Sequence, residues 1–367
     1  MAARSTRHGS GVAAHLAHRH NPHDVGRCPV ARPRRGTLTA RTPCNHERAR
    51  CGISPHTFDA RCVVATVFVA VGGAHWSAPA AHEGGVVPYI NRPGGVRLHA
   101  EVTGRSDAPV VLLIQGLGTD KNGWVLQRFG MATRYRTIAF DNRGSGRSTT
   151  PTEPFTLEDM ADDAAAVLEH FGVSSAHIVG ASMGGAISQI LAVKHARLVR
   201  SLTLVCTACR NKPWRNELLR HWADTANVRG MREWANDSAR WLIGPRSFRR
   251  LAPALSWLGP FATYRPSKGF TAQVDAIVST DDSMVAELSS ITAPTLVVVG
   301  NQDILTPRAD SEEIAERIAH AELVVISGAA HGLMVEHAST FNPIVFDFID
   351  RSEFEQRQAA SPAIASA

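Results

Sequence analysis

The stretch Gly180-Ala181-Ser182-Met183-Gly184 decides the fold. A short, largely apolar run, Ala176 to Val179, leads into it, and a helix-like run, Gly185 to His195, leads out. That order suits a serine whose hydroxyl must meet both a base and a substrate carbonyl. A sharp strand-to-helix turn meets both needs by pushing Ser182 out at the C-terminal edge of a sheet. Glycine fits at Gly180 and Gly184, because a Cβ at either would crowd the neighbouring strand or helix. Taken alone, the five residues read equally well as a glycine-rich turn before a helix. The surrounding sequence has to choose.

Strand and helix signals alternate on both sides of this turn. Val96 to Val102 alternates as a half-exposed strand does, after a hairpin turn at Gly94-Gly95. Pro109 to Ile114 and Thr137 to Phe140 are continuous apolar runs, the pattern of buried parallel strands. Leu157 to Phe171 reads as a helix, with Thr156 as N-cap and Glu158 and Asp159 in its first turn. Beyond Ser182, strands are expected at Val199 to Val205, Pro294 to Val299 and Glu322 to Ile326, with a helix from Arg308 to His320. A final helix is expected from Pro343 to Glu355, with Asn342 as N-cap and proline at its first position. The pattern predicts an α/β fold with a mainly parallel sheet, whose ligands gather at the strand C-terminal ends. Gln115 to Gly118, Asp141 to Ser148, Ser182, Gly300 to Asp303 and His331 all fall at or after such ends.

From about Val86 to Phe348 the chain resembles the α/β-hydrolase superfamily, most closely its small capped esterases and enol-lactonases. The Ser182 turn is similar to the family's nucleophile elbow. Leu296-Val-Val-Val-Gly-Asn-Gln-Asp303-Ile-Leu-Thr-Pro307 is similar to its acid-bearing segment, and Ser327-Gly-Ala-Ala-His331-Gly to its histidine loop. Ser, Asp, His is the chain order of that family. The resemblance implies that His331 exchanges a proton with Ser182 Oγ, while Asp303 fixes the imidazole tautomer and stabilises the imidazolium. An oxyanion hole needs two backbone N–H groups. Met183, after the nucleophile, and Leu117, in Gln115-Gly116-Leu117-Gly118, are the candidates. Many relatives carry His-Gly where this chain has Gln115-Gly116. Backbone donors do not depend on that side chain, so the hole is expected to survive the departure.

Asp141-Asn-Arg-Gly-Ser-Gly-Arg-Ser148 also looks like a family segment. Arg143 and Asp141 are expected to brace loops near the site. A phosphate cradle is not expected, because no Walker-type GK[ST] occurs. Relatives carry a helical cap where this chain runs from about 207 to 288. Trp214, Leu218 and Trp222 recur there at helical spacing, and Trp234, Trp241 and Trp257 extend the aromatic supply. Arg210, Arg215, Arg220, Arg249 and Arg250 would attract a carboxylated substrate or simply lie on solvated faces. Asp281 and Asp282 are rival acids to Asp303, but they follow no strong buried strand and read as a solvated pair.

The net charge of +6 invites a nucleic-acid partner, yet its distribution argues against one. Residues 1–61 carry eleven Arg and no Lys against Asp24, Glu47 and Asp59, whereas the remainder holds 28 basic and 30 acidic residues. The basic segment shows no sustained apolar period, so residues 1–83 are expected to be a disordered extension or translated upstream sequence. Their removal is expected to leave the domain at 84–355 intact. Residues 356–367 are expected to form a flexible tail. His15 and His20 have a finger-like separation, but no close Cys pair precedes them, so zinc is not expected. Cys206 and Cys209 read as small residues at a strand end, and a body so poor in cysteine suits a reducing compartment. Cytoplasmic placement is therefore expected. Export is the alternative if residues 62–81, an apolar run with a small-residue cleavage site, act after a later start. That run is too short for stable membrane insertion.

These readings converge on a serine hydrolase for a small apolar ester or lactone, with no metal and no organic cofactor. The same three residues would also serve a cofactor-free haloperoxidase or a carbon–carbon bond hydrolase. A ligand-binding receptor that has lost turnover remains as a reading from another class.

Overall fold

The computed structural model describes residues 89–249 and 267–360. The extension at 1–83, the apolar run at 62–81, Arg250 and Trp257 lie outside the described residues. The eight strands are β1 (Tyr89–Asn91), β2 (Arg97–Thr103), β3 (Val110–Ile114), β4 (Arg136–Phe140), β5 (Ala176–Ala181), β6 (Val199–Val205), β7 (Thr295–Gly300) and β8 (Glu322–Ile326). They form one sheet in the order β1-β2-β4-β3-β5-β6-β7-β8. β1, β2 and β4 pair antiparallel, and every pairing from β4 through β3 to β8 is parallel. The connection from β3 runs to one side and returns from β4 to β5 on the other. The chain therefore reverses direction across the sheet between β3 and β5, and a crevice opens at their C-terminal ends.

The apolar runs are continuous because the sheet is covered on both faces. Alternate residues of β3 part company: Leu112 and Ile114 join a core beneath α2 (Leu157–His170) and α3 (Met183–Lys194), whereas Val111 and Leu113 face α1 (Val125–Met131) and the last helix. α2 begins as its sequence requires. Thr156 accepts from Asp159 N–H and the Asp159 carboxylate accepts from Thr156 N–H, a reciprocal cap worth about 1 kcal/mol.

Between β6 and β7 the chain carries α4 (Pro213–Val228), α5 (Met231–Leu242) and α6 (Ser267–Ser279). Their apolar faces meet in a small core of Leu219, Trp222, Met231, Trp234, Phe270 and Val274, joined by Leu305 from the loop after β7. Trp214 and Trp241 stack on each other at 6.2 Å. α7 (Arg308–Arg317) connects β7 to β8 and ends three residues before the expected His320.

The last helix departs from expectation. α8 spans Ala338–Ala360, so Pro343 lies inside it and Asn342 caps nothing. His337 O already accepts from Thr340 and Phe341 N–H, at 2.9 and 2.8 Å, so the first turn is closed before the proline arrives. Asn342 instead ties helices together: its Nδ2 donates to Leu126 O at 3.2 Å and its Oδ1 accepts from Gln127 Nε2 at 2.9 Å. Residues 356–360, expected in a flexible tail, continue the helix, and Gln356 donates to Arg200 O at 2.7 Å. No helix among the described residues is long and apolar enough to cross a membrane.

Candidate active site

Ser182 stands between the end of β5 and the start of α3, with φ 53° and ψ −118°. An L-residue adopts that conformation only under constraint from its surroundings. The constraint is visible. A Cβ on Gly180 would strike Ser188 Oγ and Gly184 O, and one on Gly184 would strike Ile114 O. Ser182 N–H donates to Val205 O at 2.9 Å, and Ser182 O accepts from Thr207 Oγ1 at 2.8 Å. The turn is thus tied by hydrogen bonds to the end of β6 and packed on its other side against the end of β3, and the serine side chain stays half-buried at the rim of the crevice.

His331 arrives on the loop after β8 and Asp303 on the loop after β7. His331 Nε2 lies 3.0 Å from Ser182 Oγ, and His331 Nδ1 lies 2.8 Å from Asp303 Oδ2. Both His331 and Asp303 are buried. The Asp303 carboxylate accepts from Leu305 and Thr306 N–H and from Thr306 Oγ1, all at 2.9 Å. Burial alone would raise its pKa. The attraction of His331 and these hydrogen bonds outweigh burial and hold the carboxyl below its ordinary value. Thr306 Oγ1 also lies 3.2 Å from His331 Nδ1, so the hydroxyl touches both partners. Sequence reading gave Thr306 no role. Its only signal is the spacing Asp303-x-x-Thr306, at which an aspartate accepts from backbone and hydroxyl three residues on.

Leu117 follows β3, the neighbour of β5, so its loop faces the Ser182 turn across one strand spacing. Leu117 and Met183 N–H have no protein acceptor among the described residues. Gly116 N–H is taken by its own neighbour, Gln115 Oε1, at 2.9 Å. Asn142 Nδ2 donates to Gln115 O at 2.8 Å and Thr119 Oγ1 to Gly116 O at 3.0 Å. The 141–148 segment braces its neighbours. Asp141 accepts from Lys121 and Arg147 N–H, and Arg143 forms paired 2.7 Å bonds to Asp163.

A cavity of about 270 Å³ opens beside Ser182, walled by Leu219, Trp222, Trp234, Leu242, Leu305 and Met334. Arg210 and Arg215 also line it, but neither brings an unmatched charge. Arg215 is buried, ion-pairs with Asp310, and donates to Leu305 O and Arg210 O, both at 2.9 Å. Arg210 binds Glu313 at 2.6 Å and Asp282 at 3.2 Å. Asp281 and Asp282 sit at an exposed turn and neither bonds His331; Asp281, whose Oδ1 accepts from Ser283 N–H, also lines the cavity, and Asp282 pairs with Arg210.

Cys206, at the end of β6, comes closer to the chemistry than its sequence suggested. Its sulfur, a carboxylate oxygen of Asp303 and a ring nitrogen of His331 lie within 4.8 Å of one another. Burial first, and the Asp303 charge second, push the thiol well above its ordinary pKa. A protonated thiol is a poor metal ligand, and the Asp303 and His331 atoms already bond each other.

The chain matches the alpha/beta hydrolase fold family over residues 109–338. It is 28% identical to 3-oxoadipate enol-lactonase 2 of Acinetobacter baylyi over 253 residues, which is 68% of this chain and 92% of that one. It is 26% identical to RutD of Pantoea ananatis, a protein named for carbamate hydrolysis, over 70% of this chain and 92% of the relative. Among solved structures, a thermophilic esterase of Thermogutta terrifontis superposes with a TM-score of 0.66 at 27% identity, over 72% of this chain and 97% of that one.

Proposed function

We propose that this chain, which belongs to the alpha/beta hydrolase fold family, is a serine hydrolase that opens small uncharged carboxylic esters or lactones through an acyl-enzyme on Ser182. The observation that carries this reading is the hydrogen-bonded series Ser182 Oγ, His331 and Asp303, which ends in an apolar cavity beside two uncommitted backbone N–H groups.

In the first half-reaction Ser182 Oγ attacks the acyl carbon while His331 Nε2 takes its proton. Asp303 accepts from Nδ1–H throughout, which keeps Nε2 free as the base and stabilises the imidazolium. The carbonyl oxygen, now negative, is received by Leu117 and Met183 N–H. Collapse expels the alkoxide, which takes the proton from Nε2. Water then repeats the sequence on the acyl-enzyme and regenerates Ser182. With a lactone the alcohol stays tethered to the acyl group, and the second step releases the two together as one hydroxy acid.

The substrate class follows from the walls. A cavity of 150 Å³ accepts benzene, so about 270 Å³ takes roughly a dozen non-hydrogen atoms. The paired state of Arg210 and Arg215 favours a neutral substrate over the carboxylated one that those arginines suggested in sequence. An enol-lactonase, an esterase and a protein named for carbamate hydrolysis differ in the group expelled and share an acyl carbon open to attack.

A fluorophosphonate probe and a series of p-nitrophenyl esters of graded chain length, with lactones beside them, test the proposal. Labelling at Ser182 and a rate maximum at short acyl chains are expected. A folded protein that neither labels nor turns over any of these substrates defeats the hydrolase reading and leaves a ligand-binding role.

A further inference from the structure

Two side-chain amides occupy the N–H groups on either side of Leu117. Gln115 Oε1 takes that of Gly116, and Gln273 Oε1 takes that of Gly118 at 3.2 Å. Gln115 belongs to the same loop. Gln273 does not: it stands on α6, 155 residues away in sequence, and is fully buried. Its other end is committed as well, for Nε2 donates to Arg143 O at 2.9 Å. Arg143 is in turn fixed to α2 through Asp163.

The backbone at this contact is shaped to admit α6. Gly118 has φ 69°, and a Cβ there would lie 2.9 Å from the Phe270 ring. A Cβ on Gly144 would lie 2.9 Å from Gly269 O. Helix α6 therefore presses on two loops of the crevice at once, through Gly269, Phe270 and Gln273. A buried amide between Phe270 and Val274 is costly unless both ends are paired, and an apolar side chain would fill the same space without that demand. What the amide adds is direction. It removes the Gly118 donor from the crevice and fixes the peptide that follows Leu117.

We propose that Gln273 is a positioning residue for ester cleavage: it aims Leu117 N–H at the oxyanion, so that the seating of α6 and the competence of the hole are one event. This rests on the Ser182 mechanism above. An oxyanion donor works only near 2.7–3.1 Å from the developing charge, and a misplacement of about 1 Å can cost about a hundredfold in rate. The effect belongs to the transition state, in which the negative oxygen exists, and not to ground-state binding.

The test compares Gln273→Leu, Gln273→Glu and Ser182→Ala in the full chain, with kcat and KM for a short p-nitrophenyl ester and the inhibition constant of phenylboronic acid. The boronate forms a tetrahedral adduct on Ser182 and so reads the hole directly. Gln273→Leu is expected to lower kcat by roughly 10- to 100-fold and to weaken the boronate by a similar factor, with KM within about threefold. Gln273→Glu keeps the acceptor for Gly118 N–H and, as the neutral carboxyl that burial favours, also a donor for Arg143 O. At pH 6 it is expected to hold kcat and boronate affinity within about fivefold of wild type, which also decides the matter if the leucine variant does not fold. Folded Gln273→Leu with wild-type kcat and boronate affinity overturns the proposal, as does a folded Gln273→Glu that loses both. Those outcomes leave the hydrolase reading standing, because that reading fails if the wild-type protein neither labels nor turns over these substrates, or if Ser182→Ala retains turnover.

Discussion

Two sets of serine, histidine and acid meet β5 among the described residues, and one of them borders the cavity described above. At its C-terminal end, His331 bonds Ser182 at 3.0 Å and Asp303 at 2.8 Å. Near its start, His177 bonds Ser201 Oγ at 2.7 Å and Glu353 Oε1 at 2.8 Å. By distances alone the second set is the better made. Its surroundings differ in every other respect. His177 and Ser201 are register partners in the parallel β5–β6 ladder, just past a register shift between Ala176 and His177, and so lie within the sheet and not at its C-terminal edge. Ser201 is 1% exposed and no described cavity reaches it. Glu353 is shared with Arg200 and Arg357, which makes it a junction that fastens α8 to the sheet. Ser182, by contrast, sits in a constrained turn at a helix N-terminus, where N–H groups are uncommitted and a cavity admits a substrate. Hydrogen-bonded serine, histidine and acid are therefore insufficient; the strand end supplies what the strand interior cannot.

The largest effect expected is on Ser182. Replacing it with alanine is expected to lower kcat for a p-nitrophenyl ester by about five to six orders of magnitude, whereas Ser201→Ala is expected to stay within about threefold. Parallel turnover and thermal melting of the two folded variants check this. Equal losses would erase the distinction between the sets, and near-wild-type turnover in Ser182→Ala would remove the nucleophile.

Next comes the acid. Asp303→Asn is expected to lower kcat by roughly three to four orders of magnitude, because an amide no longer holds Nδ1–H toward itself and the imidazole turns its proton toward Ser182. Asp281→Asn and Asp282→Asn are expected to change kcat by less than about tenfold, as exposed carboxylates do. Steady-state rates on the three variants decide it; an inactive Asp282→Asn beside an active Asp303→Asn would move the acid to the insertion.

The two sets also show what a sequence discloses. Ser182 announces itself because its turn needs small neighbours within five residues, and β3, β5 and β7 because strands covered on both faces must be apolar throughout. Asp303 and His331 were legible through their place after late strands, and the structure sets His331 between Ser182 and Asp303, bonded to Ser182 on one side and to Asp303 on the other. Gln273 and Thr306 were not legible. A buried amide that bonds across 155 residues leaves no local trace, since the helix around it requires only that the position face inward. His177 was silent for the same reason. The Asn342-Pro343 pair misled because it has the composition of a helix start, while the closing hydrogen bonds came from His337, one turn earlier.

The smallest effect on activity is expected at Glu353, where the comparison can be sharpened by pH. The hydrogen bond from His177, opposed by burial and aided by the charges of His177, Arg200 and Arg357, holds this carboxyl below its ordinary 4.5. A carboxyl whose folded pKa is depressed stabilises the fold fully above the unfolded value, and that contribution is lost as pH falls through the folded value. Glu353→Gln is therefore expected to lower the thermal midpoint at pH 7 by roughly 2–4 °C, the shift that about 1 kcal/mol makes in a domain of this size. As pH falls from 7 to about 5 the gap to wild type should not narrow. Below about pH 4.5 it should narrow, because the wild-type carboxylate takes up the proton that the amide mimics. Turnover at pH 7 should remain within about twofold, since no atom of Glu353 reaches the cavity. Calorimetric midpoints across this range, with rates at pH 7, test both halves. A gap unchanged down to pH 3 would mean that shape and packing hold α8 in place of charge. A tenfold loss of turnover would mean that the two histidine sets communicate along β5.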